Sequence, residues 1–190
     1  GEALFFRNKN FKIIDNGIIL DRFYYNSELR MKKRKELNLP DGYQVIGHIG
    51  RFEEAKNHKF LIDLFDEYQK KHKKSLLLLI GDGSLRPSIE KRIEKKKLKN
   101  NVFLLSNLFP SLYEGLPVVL IEAQTNGLPI VASDTIDKDS DYTNTISFLS
   151  LQDSKDVWIT EIEKRIGKIG KRTDNRKLME NSKYNIKNTV

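Results

Sequence analysis

Short apolar segments and longer helical segments alternate along most of this chain, and this alternation limits the folds open to it. Residues 60–68 place apolar side chains three and four positions apart, which is the spacing of one helix face. Strands that alternate with helices form parallel sheets with helices on both faces. We therefore expect an α/β fold, a Rossmann-like doubly wound parallel sheet, with strands at residues 45–49, 76–80, 102–105, 128–132 and 146–149.

The bulk properties are those of one globular domain. A chain of 190 residues is long enough to bury a core of its own. Cysteine is absent, so disulfides and thiolate metal ligands are excluded. No apolar run approaches the ~18 residues of a transmembrane helix. We expect a cytoplasmic protein.

The net charge of +8 is spread unevenly along the sequence. Residues 70–99 carry eleven lysines and arginines against three carboxylates, whereas residues 107–150 carry six carboxylates and one lysine. Solvated helix faces explain these lysines most simply, and the alternative is attraction to an anionic membrane surface or a phosphorylated carrier. No aromatic residue interrupts the lysines of residues 91–99, so we expect no nucleic-acid partner.

Two carboxylates eight positions apart predict a linear binding site. Pro117 suits a first helical turn, so Glu114 would lie in the preceding loop and Glu122 on the helix body. Eight residues at ~1.5 Å rise separate them by roughly 12 Å, about the reach of a nucleoside-diphosphate sugar. Free N–H groups near Leu116 and Val118 would point between the carboxylates, where a helix N-terminus favours anions.

Two basic residues follow the first predicted strand. Arg51 and Lys56 lie five positions apart in the loop that leads into the next helix. A guanidinium and an ammonium placed this way can converge on one diphosphate. The alternative is a pair of surface cations beside Glu53 and Glu54.

Five segments, in order, resemble one family of enzymes. Glu114 and Glu122 match the E-x7-E motif of retaining glycosyltransferases with the GT-B architecture. The flanking residues are similar to family 4 of these enzymes, often called group 1. The resembling segments are residues 15–18 (domain start), 50–57 (phosphate-binding loop), 81–83 (glycine turn), 110–117 and 127–132.

The resemblance implies a donor-binding domain and assigns its residues. It implies the C-terminal half of a GT-B architecture, with Glu114 at the donor sugar, Glu122 at the ribose and no metal or other cofactor. The residues that it implies for catalysis are Arg51, Lys56 and Glu114. Those that it implies for binding the nucleoside-diphosphate sugar are Gly50, Gly81, Gly83, Ser106, Gly115, Leu116, Val118 and Glu122.

The resemblance also implies partners. We expect residues 1–190 to form a single donor domain, with residues 1–40 as a linker from an N-terminal acceptor domain. The cleft between the two domains would be the active site, so the chain alone would be inactive. The similarity is to enzymes of bacterial capsular or exopolysaccharide synthesis, which implies peripheral contact with the inner membrane or a lipid-linked acceptor.

Two other functions remain open at this point. A related architecture serves nucleotide-sugar epimerases, although these lack the pairing of Arg51 and Lys56 with Glu114 and Glu122. A non-catalytic nucleotide-binding module is the second alternative.

Several residues have a simpler interpretation. Gly81 and Gly83 suit a plain strand-to-helix turn as well as close backbone approach. His48 lies in a strand that we expect to be buried and is predicted to be a core residue. Asp139 and Asp141 have the spacing of a metal motif but lie in a polar loop, and we discount them.

One junction conflicts with the predicted topology. The strand at 102–105 runs almost directly into residues 108–111, which also look like a strand end. Parallel strands need a crossover of a dozen or more residues, and only Ser106 and Asn107 are available. We therefore expect an omitted loop, with a Cα–Cα distance from Ser106 to Asn107 far above the ~3.8 Å of a trans peptide.

Overall fold

The protein is an α/β structure in which every strand pairing among the described residues is parallel. A computed structural model describes residues 17–105, 118–167, 172 and 174–188. The strands are β1 (Gln44–Ile49), β2 (Ser75–Ile80), β3 (Val102–Leu105), β4 (Ile130–Ser133) and β5 (Ile146–Leu149). The α-helices are α1 (Ser27–Glu36), α2 (His58–Lys71), α3 (Arg86–Lys95), α4 (Val118–Thr125), α5 (Lys155–Gly167) and α6 (Arg176–Glu180).

The strands form two hydrogen-bonded groups in the described part of the chain. One has the order β1-β2-β3, and β4 pairs with β5 in the other. Gln44 lies opposite Ser75 in the first group, and Ile130 lies opposite Ile146 in the second. The predicted α/β fold with parallel strands and alternating helices is confirmed.

The prediction that residues 45–49 form a buried strand is wrong. No residue of β1 is fully buried, and Gly47 and Ile49 are exposed. Among the described residues, β1 has a hydrogen-bonded neighbour on one side only, whereas β2 lies between two strands and is largely buried. A central strand loses solvent contact on both edges, and apolar composition alone does not reveal which strand is central.

The main core forms where α2 covers the first sheet. Ile62, Phe65 and Tyr68 of α2 are almost completely buried, together with Leu77 and Leu79 of β2. Fully burying each such side chain contributes ~1.5–3 kcal/mol. The same cluster includes Trp158 and Ile159 of α5, and Val131 and Leu149 pack against it, so both strand groups share this core.

A second, smaller core surrounds α4. Ile121 of α4 packs with Ile18, Leu20, Met179 and Tyr184. Ile18 donates its backbone N–H to the carbonyl of Tyr184 at 2.8 Å, so the first and last described segments meet here. Among the described residues, no helix is both long enough and apolar enough to cross a bilayer.

Candidate functional site

Two loops at the carboxyl ends of β1 and β2 are joined by backbone hydrogen bonds. The β1–α2 loop comprises residues 50–57, and the β2–α3 loop comprises residues 81–85. Phe52 donates its N–H to the carbonyl of Asp82 at 2.9 Å, and Leu85 donates to the carbonyl of Phe52 at 3.0 Å. Ligands of parallel α/β sheets bind at this edge of the sheet, so the two loops occupy the expected position for a site.

Gly81 and Gly83 allow these loops to lie so close together. A β-carbon on Gly81 would overlap the carbonyl oxygen of Gly50, and one on Gly83 would lie 2.7 Å from the carbonyl oxygen of Phe52. The predicted close backbone approach is therefore found, and it is made to the neighbouring loop. That Gly81 and Gly83 also contact a ligand stays a prediction.

Arg51 lies directly after β1 with its side chain half exposed. Its Nη1 is 3.3 Å from Oε1 of Glu53, and the two side chains are 43% and 49% exposed. This contact with Glu53 is the one expected if Arg51 is simply a surface cation. An ion pair this exposed contributes at most ~1 kcal/mol, so a bidentate phosphate could replace it at small cost.

Lys56 crosses Gly50 on the same loop. The Cγ and Cδ atoms of Lys56 lie 3.3 Å from the position that a β-carbon on Gly50 would occupy. Lys56 is half-buried and ends a short 3-10 turn, Glu54–Lys56, just before α2. The structure thus places Arg51 and Lys56 on one loop, as predicted, and a β-carbon at Gly50 would require the Lys56 chain to shift by a few tenths of an ångström.

Two histidines pack below this loop. The rings of His48 and His58 meet edge to face with centroids 5.0 Å apart, and the ring of Phe52 lies 4.7 Å from that of His58. Burial, together with the neighbouring His58 and Lys56, lowers the pKa of His48 to about 4. Burial and then Lys56 also lower the pKa of His58. His48 is half-buried as a residue, although its Nε2 atom is fully buried, so it is not the fully buried core residue that was predicted.

Asn57 is the N-cap of α2. It has a left-handed backbone, with φ of 45°, and its side chain accepts a hydrogen bond from the N–H of Phe60 at 3.3 Å. This cap places His58 at the first position of α2. The turn from Lys56 into the helix is therefore sharply defined.

Helix α4 carries the part of the predicted linear site that the structure describes. Val118 is its first residue and packs against the second core, and Glu122 is half-buried on the helix body. The predicted helix that carries Glu122 is confirmed over its described residues. Ser106, Glu114, Gly115 and Leu116 lie outside the described residues, and so does the junction between Ser106 and Asn107.

Gln124 was missed by sequence analysis. It is completely buried, and its Nε2 donates to the carbonyls of Leu120 at 3.1 Å and Ser140 at 2.7 Å. Its Oε1 accepts from the N–H of Thr143 at 3.1 Å, and its carbonyl accepts from Nδ2 of Asn175 at 2.8 Å. Gln124 therefore ties α4 to two other segments. The sequence did offer one signal of this role, because Gln124 is a single amide side chain next to the apolar residues of the predicted helix.

The polar loop before β5 is held by its own side chains. The carboxylate of Asp141 accepts hydrogen bonds from the N–H groups of Thr145 at 3.0 Å and Ile146 at 3.3 Å. The backbone N–H of Asp139 is bonded to the carboxylate of Asp137 at 2.9 Å. Asp141 thus closes the turn into β5.

Residues 30–142 match the family model described as Glycosyl transferases group 1. The match covers more than half of the chain, and it includes both loops and α4. The chain therefore belongs to the group 1 glycosyltransferases, within the class of enzymes that transfer glycosyl groups. The resemblance inferred from the five sequence segments is confirmed.

Curated relatives point the same way. The chain is 34% identical over 165 residues to the putative glycosyltransferase EpsF of Bacillus subtilis. This alignment covers 79% of this chain and 43% of that protein. It is 30% identical over 169 residues to the Vi polysaccharide biosynthesis protein VipC/TviE of Salmonella typhi, covering 78% of this chain and 28% of that protein. The chain thus spans less than half the length of these relatives.

Solved structures share the fold. The crystal structure of WaaG, a glycosyltransferase involved in lipopolysaccharide biosynthesis, aligns with a TM-score of 0.71 at 19% identity, over 89% of this chain and 50% of that one. A TarM variant from S. aureus, in complex with UDP among other ligands, aligns with a TM-score of 0.58 at 23% identity, over 87% of this chain and 40% of that one. These likenesses confirm a Rossmann-like domain of the GT-B type.

Proposed function

We propose that this chain is the donor-binding domain of a retaining glycosyltransferase that takes its sugar from a nucleoside diphosphate. The observation that carries the proposal is the β1–α2 loop, which presents Arg51 and Lys56 at the carboxyl edge of the sheet, inside the segment that matches the family. A solved structure of this fold that holds UDP supports the same class of donor.

Charge on the departing nucleoside diphosphate gives the two cations their role. When the bond between the sugar and the diphosphate breaks, negative charge grows on the diphosphate. Arg51 and Lys56 would stabilise that charge in the transition state, and amides near Leu116 and Val118, with Gly115, would add hydrogen bonds. The diphosphate charge is then met by protein groups, so we propose that the enzyme needs no metal.

The two carboxylates would fix the ends of the donor. Glu122 would accept hydrogen bonds from the ribose hydroxyls and Glu114 from the sugar hydroxyls, with Ser106 near the base. The roughly 12 Å expected between them from helical rise would suit an extended donor, and it exceeds the ~5–9.5 Å of carboxylate pairs in glycosidases. Glu114 is therefore proposed as a positioning group and not as a nucleophile.

Transfer would require a second domain that binds the acceptor. An acceptor hydroxyl must be held in near-attack geometry, and such positioning can supply ~7–11 kcal/mol. The chain spans 43% of EpsF, which leaves room in such a relative for another domain. We expect residues 1–190 alone to bind donor and to transfer little, and joining an acceptor domain to restore transfer.

The biological setting that we propose is bacterial polysaccharide synthesis. The Vi polysaccharide relative supports it by its name. A lipid-linked acceptor would place the enzyme in the cytoplasm, peripherally on the inner face of the membrane, where the exposed lysines would favour anionic lipid. The family match does not favour an epimerase or a non-catalytic module.

A thermal-shift screen followed by titration tests the donor site. A nucleoside diphosphate or its sugar that binds only the folded chain should raise the melting temperature. Arg51→Ala and Lys56→Ala should each weaken that ligand about 10-fold or more, because each loses a charge-assisted hydrogen bond of ~1.5–3 kcal/mol. Lys59→Ala, an exposed lysine three positions further on, is the matched control. Unchanged affinity in both site variants would refute the proposal.

Two further measurements test the proposed metal independence and the type of reaction. Nucleotide affinity should survive EDTA, and a loss of about tenfold, or ~1.4 kcal/mol, would contradict metal independence. Product analysis with the acceptor domain present distinguishes a transferred sugar from an epimerised donor, and it reads the retained or inverted anomeric configuration directly.

A further inference from the structure

We propose that His48 and His58 are positioning residues for Lys56, holding its side chain across Gly50 in the orientation that the donor diphosphate needs. The inference rests on the proposed function, because it takes the diphosphate to be the ligand of Lys56. It assigns a role to two residues that lie beneath the loop.

The packing joins these residues into one unit. His48 belongs to β1 and His58 begins α2, so the two imidazoles bracket the β1–α2 loop. A β-carbon built on Gly50 would lie 3.4 Å from Nε2 of His48 and 3.3 Å from the alkyl carbons of Lys56. The Lys56 chain, the surface of Gly50 and the edge of the His48 ring therefore meet at one point.

Unsatisfied nitrogens show that packing alone does not account for these rings. Nε2 of His48 and both ring nitrogens of His58 are buried and have no hydrogen-bond partner in the described part of the chain. Each buried polar atom left without a partner costs ~1–3 kcal/mol. A phenyl ring would fill similar space without this cost, so the nitrogens require another explanation.

Electrostatics supplies that explanation. Lys56 lies close enough to lower the pKa of both histidines, which burial already lowers, so both rings are neutral at neutral pH. A neutral imidazole carries one nitrogen lone pair, and its negative potential attracts an ammonium group even without a direct hydrogen bond. The pair thus gives Lys56 a polar support that adds no second positive charge to the diphosphate site.

A double-mutant cycle with UDP and GDP as probes tests the role. His48→Phe keeps a ring and removes the nitrogens, and we expect it to weaken the nucleotide that binds by about 5–10-fold. In a Lys56→Ala background the same change should alter affinity less than about twofold, because the group being positioned is gone. Equal losses in both backgrounds would show a merely structural role and overturn the inference.

A comparison of two further His48 variants tests the same role if His48→Phe does not fold. Glutamine and methionine have similar length, but only glutamine can place an amide oxygen, with its lone pairs, near the position of Nε2. His48→Gln should stay within about threefold of the unmodified chain, and His48→Met should resemble His48→Phe. Equal affinity of the Gln and Met variants would overturn the proposal.

The controls separate this inference from the proposed function. His72→Gln changes the third histidine, which pairs with Glu163 at 2.7 Å on another surface, and should leave affinity unchanged. If Lys56→Ala binds nucleotide normally, the proposed function of Lys56 is wrong. If Lys56→Ala weakens binding while His48→Phe and His58→Phe do not, only the positioning role is wrong.

Discussion

The α-carbon of Gly81 faces the carbonyl oxygen of Gly50 with no room for a β-carbon between them. This contact sets the distance between the loops that follow β1 and β2. Gly50 also carries the Lys56 side chain across its open face. The position of a proposed diphosphate contact therefore depends on Gly81, a glycine in the next strand-to-helix loop.

Gly81→Ala should separate the two loops. We expect a loss of ~1–3 kcal/mol in the free energy of unfolding, measured by urea denaturation, because the backbone must shift to relieve the overlap. Gly47→Ala is the control, since a β-carbon there would meet nothing within 4 Å. Equal stability of the two variants would show that the loops accommodate the extra atom.

Gln124→Leu should destabilise the protein through α4. The change leaves the carbonyl of Ser140 and the N–H of Thr143 without their buried partner, and we expect a cost of ~2–4 kcal/mol in the free energy of unfolding. Gln152→Leu, at an exposed position, should change it by less than ~0.5 kcal/mol. If the two variants unfold at the same urea concentration, the network around Gln124 contributes little.

Glu122→Ala and Glu114→Ala should affect different ligands. Loss of Glu122 should weaken a free nucleoside diphosphate by ~1.5–3 kcal/mol, because the ribose loses a charged acceptor. Loss of Glu114 should leave that ligand nearly unchanged and weaken the sugar-bearing form. Isothermal titration measures both, and equal losses for both ligands in both variants would contradict the linear arrangement.

Glu161 should stabilise the folded protein at neutral pH, and this stabilisation should be lost in acid. A hydrogen bond from Ser147 Oγ at 2.5 Å, helped by Arg165, lowers the pKa of Glu161 to about 2 from its ordinary 4.5. A carboxylate with a lowered pKa stabilises the folded state above its unfolded pKa, and this contribution fades as pH falls toward the folded value.

Urea denaturation between about pH 5.5 and about pH 1.5 checks this, because that window spans both the unfolded and the folded pKa of Glu161. The unmodified chain should lose more stability across this range than Glu161→Gln, which cannot titrate. Glu28→Gln, an exposed residue in α1, serves as control. Parallel pH profiles for the unmodified chain and the Glu161 variant would exclude a special role for this carboxylate.

Local patterns were sufficient for the secondary structure and for the family. Apolar spacing predicted the five strands to within two residues at each end, and the apolar face at residues 60–68 predicted α2. These features depend on residues that are neighbours in the chain, where backbone geometry and side-chain period are directly visible. The family motifs are local in the same sense, since each occupies a few consecutive residues.

Contacts between distant segments could not be obtained in this way. Four features depend on residues that come together from separate elements. They are the partial exposure of β1, the contact of Gly81 with Gly50, the packing of His48 against His58 and the hydrogen bonds of Gln124. The local sequence shows whether a residue is apolar or able to form hydrogen bonds, but it does not show which residue will lie opposite in the folded structure. That partner is set by strand order and helix packing, so these relationships emerge only when the whole chain is folded.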